Sequence, residues 1–128
     1  MENTNPVPKN DIPLIHSVKA VYATIYQTGN KLPKREKLGI HAEIERIMID
    51  TIADIVRASL APRVRKTDSL EKARVSIEVL KHLIRTEYEL KVIEQKAYIR
   101  IESLLVEASK MTNGWIKYLQ TQNPPKAG

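Results

Sequence analysis

The stretch EYELKVIEQKAY, residues 87–98, decides how this chain folds. From residue 69 to 120 the only proline or glycine is Gly114. One unbroken helix over that span would be about 75 Å long at 1.5 Å per residue. That is too long for a compact domain of 128 residues. The apolar rhythm offers a way out. Leu70, Ala73, Ile77, Leu80 and Ile84 recur at alternating steps of three and four, as one face of a helix does. Glu87, Lys91 and Glu94 then fall where core residues are due. The rhythm resumes at Tyr98, Ile101, Leu105 and Ala108, and reaches Trp115 and Leu119. The break predicts a tight turn near residues 91–95. A third helix, begun at Asp68 or Ser69, ends there, and a fourth runs on to about residue 120.

Upstream of that break, a first helix is expected over about 13–28. Leu14, Val18, Val21, Tyr22, Ile25 and Tyr26 lie on one of its faces, and Gly29 stops it. A second helix starts between Pro33 and Gly39 and closes at Ala61-Pro62, because the residue before proline resists helical angles. RVRKTD, residues 63–68, reads as a charged link. The connections are short and force antiparallel neighbours, so the expected fold is all-α, an up-down-up-down four-helix bundle over residues 12–120. The flanks 1–11 and 121–128 read as disordered tails.

Composition narrows the function. The chain holds 21 Lys and Arg against 15 Asp and Glu, a formal net charge of +6, which favours a polyanionic partner. It has no cysteine, so disulfides, thiolate zinc sites and thiol catalysis are excluded. No uncharged apolar run approaches a bilayer span and no signal peptide is legible, so a cytoplasmic setting without a membrane partner is expected. No phosphate-binding glycine loop or nucleophile elbow is present, and no cofactor is implied. His41 and Glu45, four apart, fit a metal only with a further ligand, and a surface or boundary histidine is the simpler reading. Asp50 and Asp54 have Arg46 and Arg57 at helix-pairing distance, so a salt-bridged face explains them better than metal catalysis with Glu45 does. The chain reads as no enzyme.

The cations form constellations. NKLPKREKLG, residues 30–39, carries Lys31, Lys34, Arg35 and Lys37 at a helix connection. Lys91, Lys96 and Arg100 belong to the same end of such a bundle. Arg57, Arg63, Arg65, Lys66, Lys72 and Arg74 belong to the other. Arg74, Lys81 and Arg85 climb one flank of the third helix, with Glu78 and Glu89 in pairing reach. Phosphate contacts of this kind give salt-dependent, largely sequence-blind binding. The helices are also too apolar for one core. Ile49, Val56 and Leu60 extend the second helix beyond its inner face, and Ile99 and Val106 do so on the fourth. Such surface predicts self-association, cyclic in form.

Four segments carry a family resemblance: LPKREKLGIHAEIERIMIDTIADIV (32–56), LKHLIR (80–85), YELKVI (88–93) and LLVEASKMTNGWIKYL (104–119). Together they resemble the Avd-like accessory variability proteins of diversity-generating retroelements. NGWIK keeps Gly114, Trp115, Ile116 and Lys117 of that family's Gly-Gly-Trp motif, with Asn113 for its first glycine. Related bundle proteins of ribosomal RNA intervening sequences carry Asn-Ile-Ala-Glu-Gly where this chain has RASLAP, residues 57–62. The resemblance implies a barrel-like homopentamer that binds a reverse transcriptase and RNA or DNA. Lys81 and Arg85 stand at the family's paired basic positions. A structural oligomer with no nucleic-acid role is the competing reading.

Overall fold

A computed structural model of the chain describes residues 11–122. Of the expected tails, 1–11 and 121–128, residues 1–10 and 123–128 lie outside them, whereas Asp11, Thr121 and Gln122 are helical. Five helical segments follow in order: α1 (Asp11–Gly29), α2 (Lys34–Leu38), α3 (Ile40–Leu60), α4 (Arg63–Glu89) and α5 (Gln95–Gln122). α2 is a short stub leading into α3, so four long rods build an all-α up-down-up-down bundle. α1 packs on α3, α3 on α4, α4 on α5, and α5 on α1. α1 therefore lies diagonal to α4, and α3 diagonal to α5.

Each rod contributes a seam spaced three and four. Leu14, Val18, Val21 and Ile25 come from α1, and Ile44, Met48, Ile55 and Ala58 from α3. Leu70, Ala73, Ile77, Leu80 and Ile84 come from α4. Ile101, Leu105, Ala108, Trp115 and Leu119 come from α5. All are buried, and their apolar area removed from water drives the assembly. Tyr26, assigned by spacing to the inner face, is instead exposed at the edge of its stripe.

The turn falls where the broken rhythm puts it. Val92 N–H donates to Glu87 O at 2.8 Å and Lys91 N–H to Tyr88 O at 3.0 Å, a Schellman closure of α4. Lys91 takes the left-handed position at φ 63°, where glycine is usual. At the other end of α4 the expectation fails. Residues 63–68 are not a link but the first turns of the helix, entered directly from Pro62 with ψ 152°. Nothing in RVRKTD breaks a helix, and contacts to α3 and α5 hold it there.

Gly39 makes the bend between α2 and α3. A Cβ at that position would sit 2.8 Å from the Arg35 carbonyl oxygen, so only glycine lets the chain turn so tightly. Gly114 has no such reason within the chain. The helix runs unbroken through it, and a Cβ there would meet open space.

Candidate nucleic-acid and partner interface

The cations singled out by sequence fall into three environments. Farther along α4, Arg74, Lys81 and Arg85 each have an acidic neighbour on their own helix. Arg74 lies 2.7 Å from Glu71, Lys81 2.9 Å from Glu78, and Arg85 3.1 Å from Glu89. These are i,i+3 and i,i+4 pairs washed by solvent, and an incoming phosphate or carboxylate can exchange with them. The Glu89 hydrogen bond, then Tyr98, hold the Arg85 guanidinium above its ordinary range, so it stays charged.

Lys31, Lys34, Arg35 and Lys37 gather at the end of the bundle where α1 gives way to α2 and α3, all exposed. None has an ion-pair partner among the described residues. At the opposite end the start of α4 behaves differently. Lys66 Nζ donates to the carbonyls of Ala58 at 2.8 Å and Ser59 at 3.1 Å, closing the C-terminus of α3, and lies 6.0 Å from the Trp115 ring. Arg63 sits 5.9 Å over Tyr118. These two cations hold α4 onto its neighbours, whereas Arg65 stands exposed and unpaired among the described residues.

The apolar surplus is real at the protomer level. Ile49 is 51 % exposed, Leu60 82 % and Ile99 55 %, with Val56 and, on α4, Val75 and Val79 also in water. Val106, one heptad along α5 from Ile99, is half-buried instead. Along the seam of α3 and α4 an open groove sets Val75 among Asp50, Asp54, Arg57 and Glu71.

His41 overturns its surface reading. It is fully buried, at the first level of the α3 seam, and Glu87, equally buried, faces it from α4. The Nδ1 to Glu87 Oε2 distance is 2.8 Å, and Nε2 to the Ile25 carbonyl oxygen is also 2.8 Å. With Glu87 as a carboxylate both partners only accept, which requires both ring nitrogens to donate and makes the ring an imidazolium. Burial alone would lower its pKa. The Glu87 and Ile25 hydrogen bonds, with the charges of Glu87 and of Glu45 at 3.9 Å, raise it above the ordinary value. Gly29 makes room: a Cβ there would lie 2.8 Å from the ring's Cδ2. Sequence reasoning missed this clasp. The signal was present, because Glu87 follows Ile84 by three, the step that continues the seam.

Asp50 and Asp54 are engaged as expected, with Arg46 at 3.0 Å and Arg57 at 2.9 Å. Among the described residues no three His, Asp or Glu side chains gather as a metal would need. No helix among them is long and apolar enough to cross a membrane.

No curated protein matches the chain. A family model described as bAvd-like matches residues 14–119, which spans all four rods and includes both the Lys81–Arg85 pair and NGWIK. The bundle, the paired cations on α4 and that match agree: the chain belongs to the bAvd-like family, the Avd-like accessory variability proteins.

Proposed function

We propose that the protein is a non-enzymatic adaptor of a diversity-generating retroelement, acting in the cytoplasm. It forms a cyclic homo-oligomer, a pentamer, that binds a reverse transcriptase and its template RNA or the nascent cDNA. The reverse transcriptase supplies the chemistry of mutagenic copying. Membership of the bAvd-like family across residues 14–119 is the observation that carries this reading. Two features support it: exposed isoleucines that a lone bundle has no use for, and cations held by nothing stronger than solvated ion pairs.

Lys81 and Arg85 are the proposed partner contacts, with Arg74 below them and the exposed Lys31, Lys34, Arg35, Lys37 and Arg65 at the two ends. The double variant Lys81→Glu, Arg85→Glu is expected to fold and associate as the wild type does, since both side chains lie outside the core. It should lose retention of the reverse transcriptase or of RNA in a pull-down at physiological salt. Unchanged retention of both would reject these sites.

The competing reading is an oligomer with no nucleic-acid role. It draws on the neutralisation of Arg74, Lys81 and Arg85 by Glu71, Glu78 and Glu89. A salt titration of RNA binding separates the two. The adaptor shows affinity falling steeply with salt, and the competitor shows none or a flat response.

A further inference from the structure

At the end of the bundle where α1 runs out and α5 begins, a cleft of about 410 Å³ opens between them. Three cations line it: Lys31 from the turn after α1, and Lys96 and Arg100 from successive turns of α5. Unlike Arg74, Lys81 and Arg85, none of them has a carboxylate at ion-pair distance among the described residues. Like charges sharing one concavity repel, and an anion placed between them relieves that repulsion. The inner side of the cleft has another character. Leu32, Val92 and Ala97 are half-buried there and Ile93 is buried, giving an apolar floor. Gln27 and Glu94 complete the lining with hydrogen-bonding groups. Thr24 and Thr28 also face it, but their hydroxyls already donate to carbonyls of their own helix at 2.9 and 2.8 Å.

We infer that this cleft takes one phosphorylated nucleoside. The phosphate lies on Lys31, Lys96 and Arg100, and the base lies against the apolar floor. Glu94 and Gln27 meet the hydroxyl and amino groups between. The two halves of the lining exclude simpler ligands. An inorganic anion has no use for the apolar floor. An apolar ligand would leave three cations desolvated without partners. The volume lies in the range of small-ligand pockets, roughly 300–1,000 Å³. A duplex keeps its bases inside the stack, so only a free nucleotide or an unpaired nucleotide of a strand presents base and phosphate together. The inference rests on the adaptor reading only for the source of that nucleotide.

Lysine acetylation of the full chain, mapped by mass spectrometry, tests it with three probes: adenosine 5′-monophosphate, a short single-stranded RNA, and the duplex of the same sequence. Lys31 and Lys96 should lose reactivity with the mononucleotide or the single strand, while Lys117, exposed toward the far end of α5, keeps its own with the mononucleotide. Protection by the mononucleotide assigns the cleft to free nucleotides. Protection by the strand alone assigns it to an unpaired nucleotide within RNA. The variant Lys31→Ala, Lys96→Ala, Arg100→Ala keeps its fold, because all three side chains are exposed, and should lose about tenfold in affinity for the protecting probe. Ala97→Leu narrows the floor without changing charge and should weaken the single strand more than the duplex. Lysines left reactive under every probe, or a triple variant within about twofold of the wild type, overturn the cleft. RNA that binds while both lysines stay reactive does so too, and leaves the adaptor reading standing. Mononucleotide protection in a protein that retains no reverse transcriptase does the reverse.

Discussion

His41 and Glu87 face each other at one level of the bundle, and each is badly placed without the other. Removing one partner leaves a charge stranded in the core, so Glu87→Ala should lower unfolding stability by about 3–5 kcal/mol in a denaturant titration. The pair also sets a pH dependence. His41 titrates in the folded state above its unfolded value of about 6.5. Its contribution is therefore complete below that pH and is lost as pH rises through the folded value. Melts taken from slightly acidic to alkaline pH should show the wild type losing stability relative to Glu87→Gln, whose imidazole lacks the facing carboxylate. Parallel profiles would reject the imidazolium. Gly29 belongs to the same device, since a methyl there would strike a ring already fixed at both nitrogens. The spacing put Glu87 on the seam, but the clasp itself was not legible, for a physical reason. A charged residue on a core seam reads as the end of the seam unless its partner is known, and the partner lies 46 residues away.

Between Tyr88 and Gln95 the chain reverses with neither proline nor glycine, and Lys91 at φ 63° shows how. A left-handed lysine costs about 1–2 kcal/mol through its Cβ, which glycine would avoid. Lys91→Gly should therefore stabilise the fold by up to about 1 kcal/mol, the gain offset in part by the freer unfolded chain. An upward shift in melting temperature is the expected result, and a fall would mean that the lysine side chain itself holds the turn. The position of this turn was legible because the apolar rhythm lapses there, but its chemistry was not, because the usual residue is missing. The start of α4 was misread for the opposite reason. Five polar or charged residues around Val64 resemble a link, yet Lys66 closing α3 and Arg63 over Tyr118 are tertiary contacts that no local pattern announces. The four core seams, by contrast, were plain, since burial enforces their spacing.

The arrangement of the whole bundle bears on the geometry of the proposed ring. α3 and α5 are diagonal, so Ile49 on the outside of one and Ile99 on the outside of the other belong to opposite flanks of the protomer. Two different patches on opposite flanks suit head-to-tail contact, which closes into a ring, whereas a two-fold dimer pairs one patch with itself. Burying an isoleucine side chain contributes about 1.5–3 kcal/mol, and a glutamate in its place opposes the contact. Ile49→Glu and Ile99→Glu should each leave the protomer's melt within about 0.5 kcal/mol of the wild type, because both side chains lie outside its core. Each alone should sediment at or near the 14.6 kDa of one chain, since either change breaks ring closure. Mixed in equal amounts, they behave differently under the two geometries. In a head-to-tail ring, each variant keeps the flank the other has lost, so one intact contact forms and the mixture yields dimers that cannot grow. In a two-fold dimer built on either patch, one variant would still dimerise alone and mixing would add nothing. A wild-type chain that stays at protomer mass at micromolar concentration would remove the ring altogether, and the adaptor built on it.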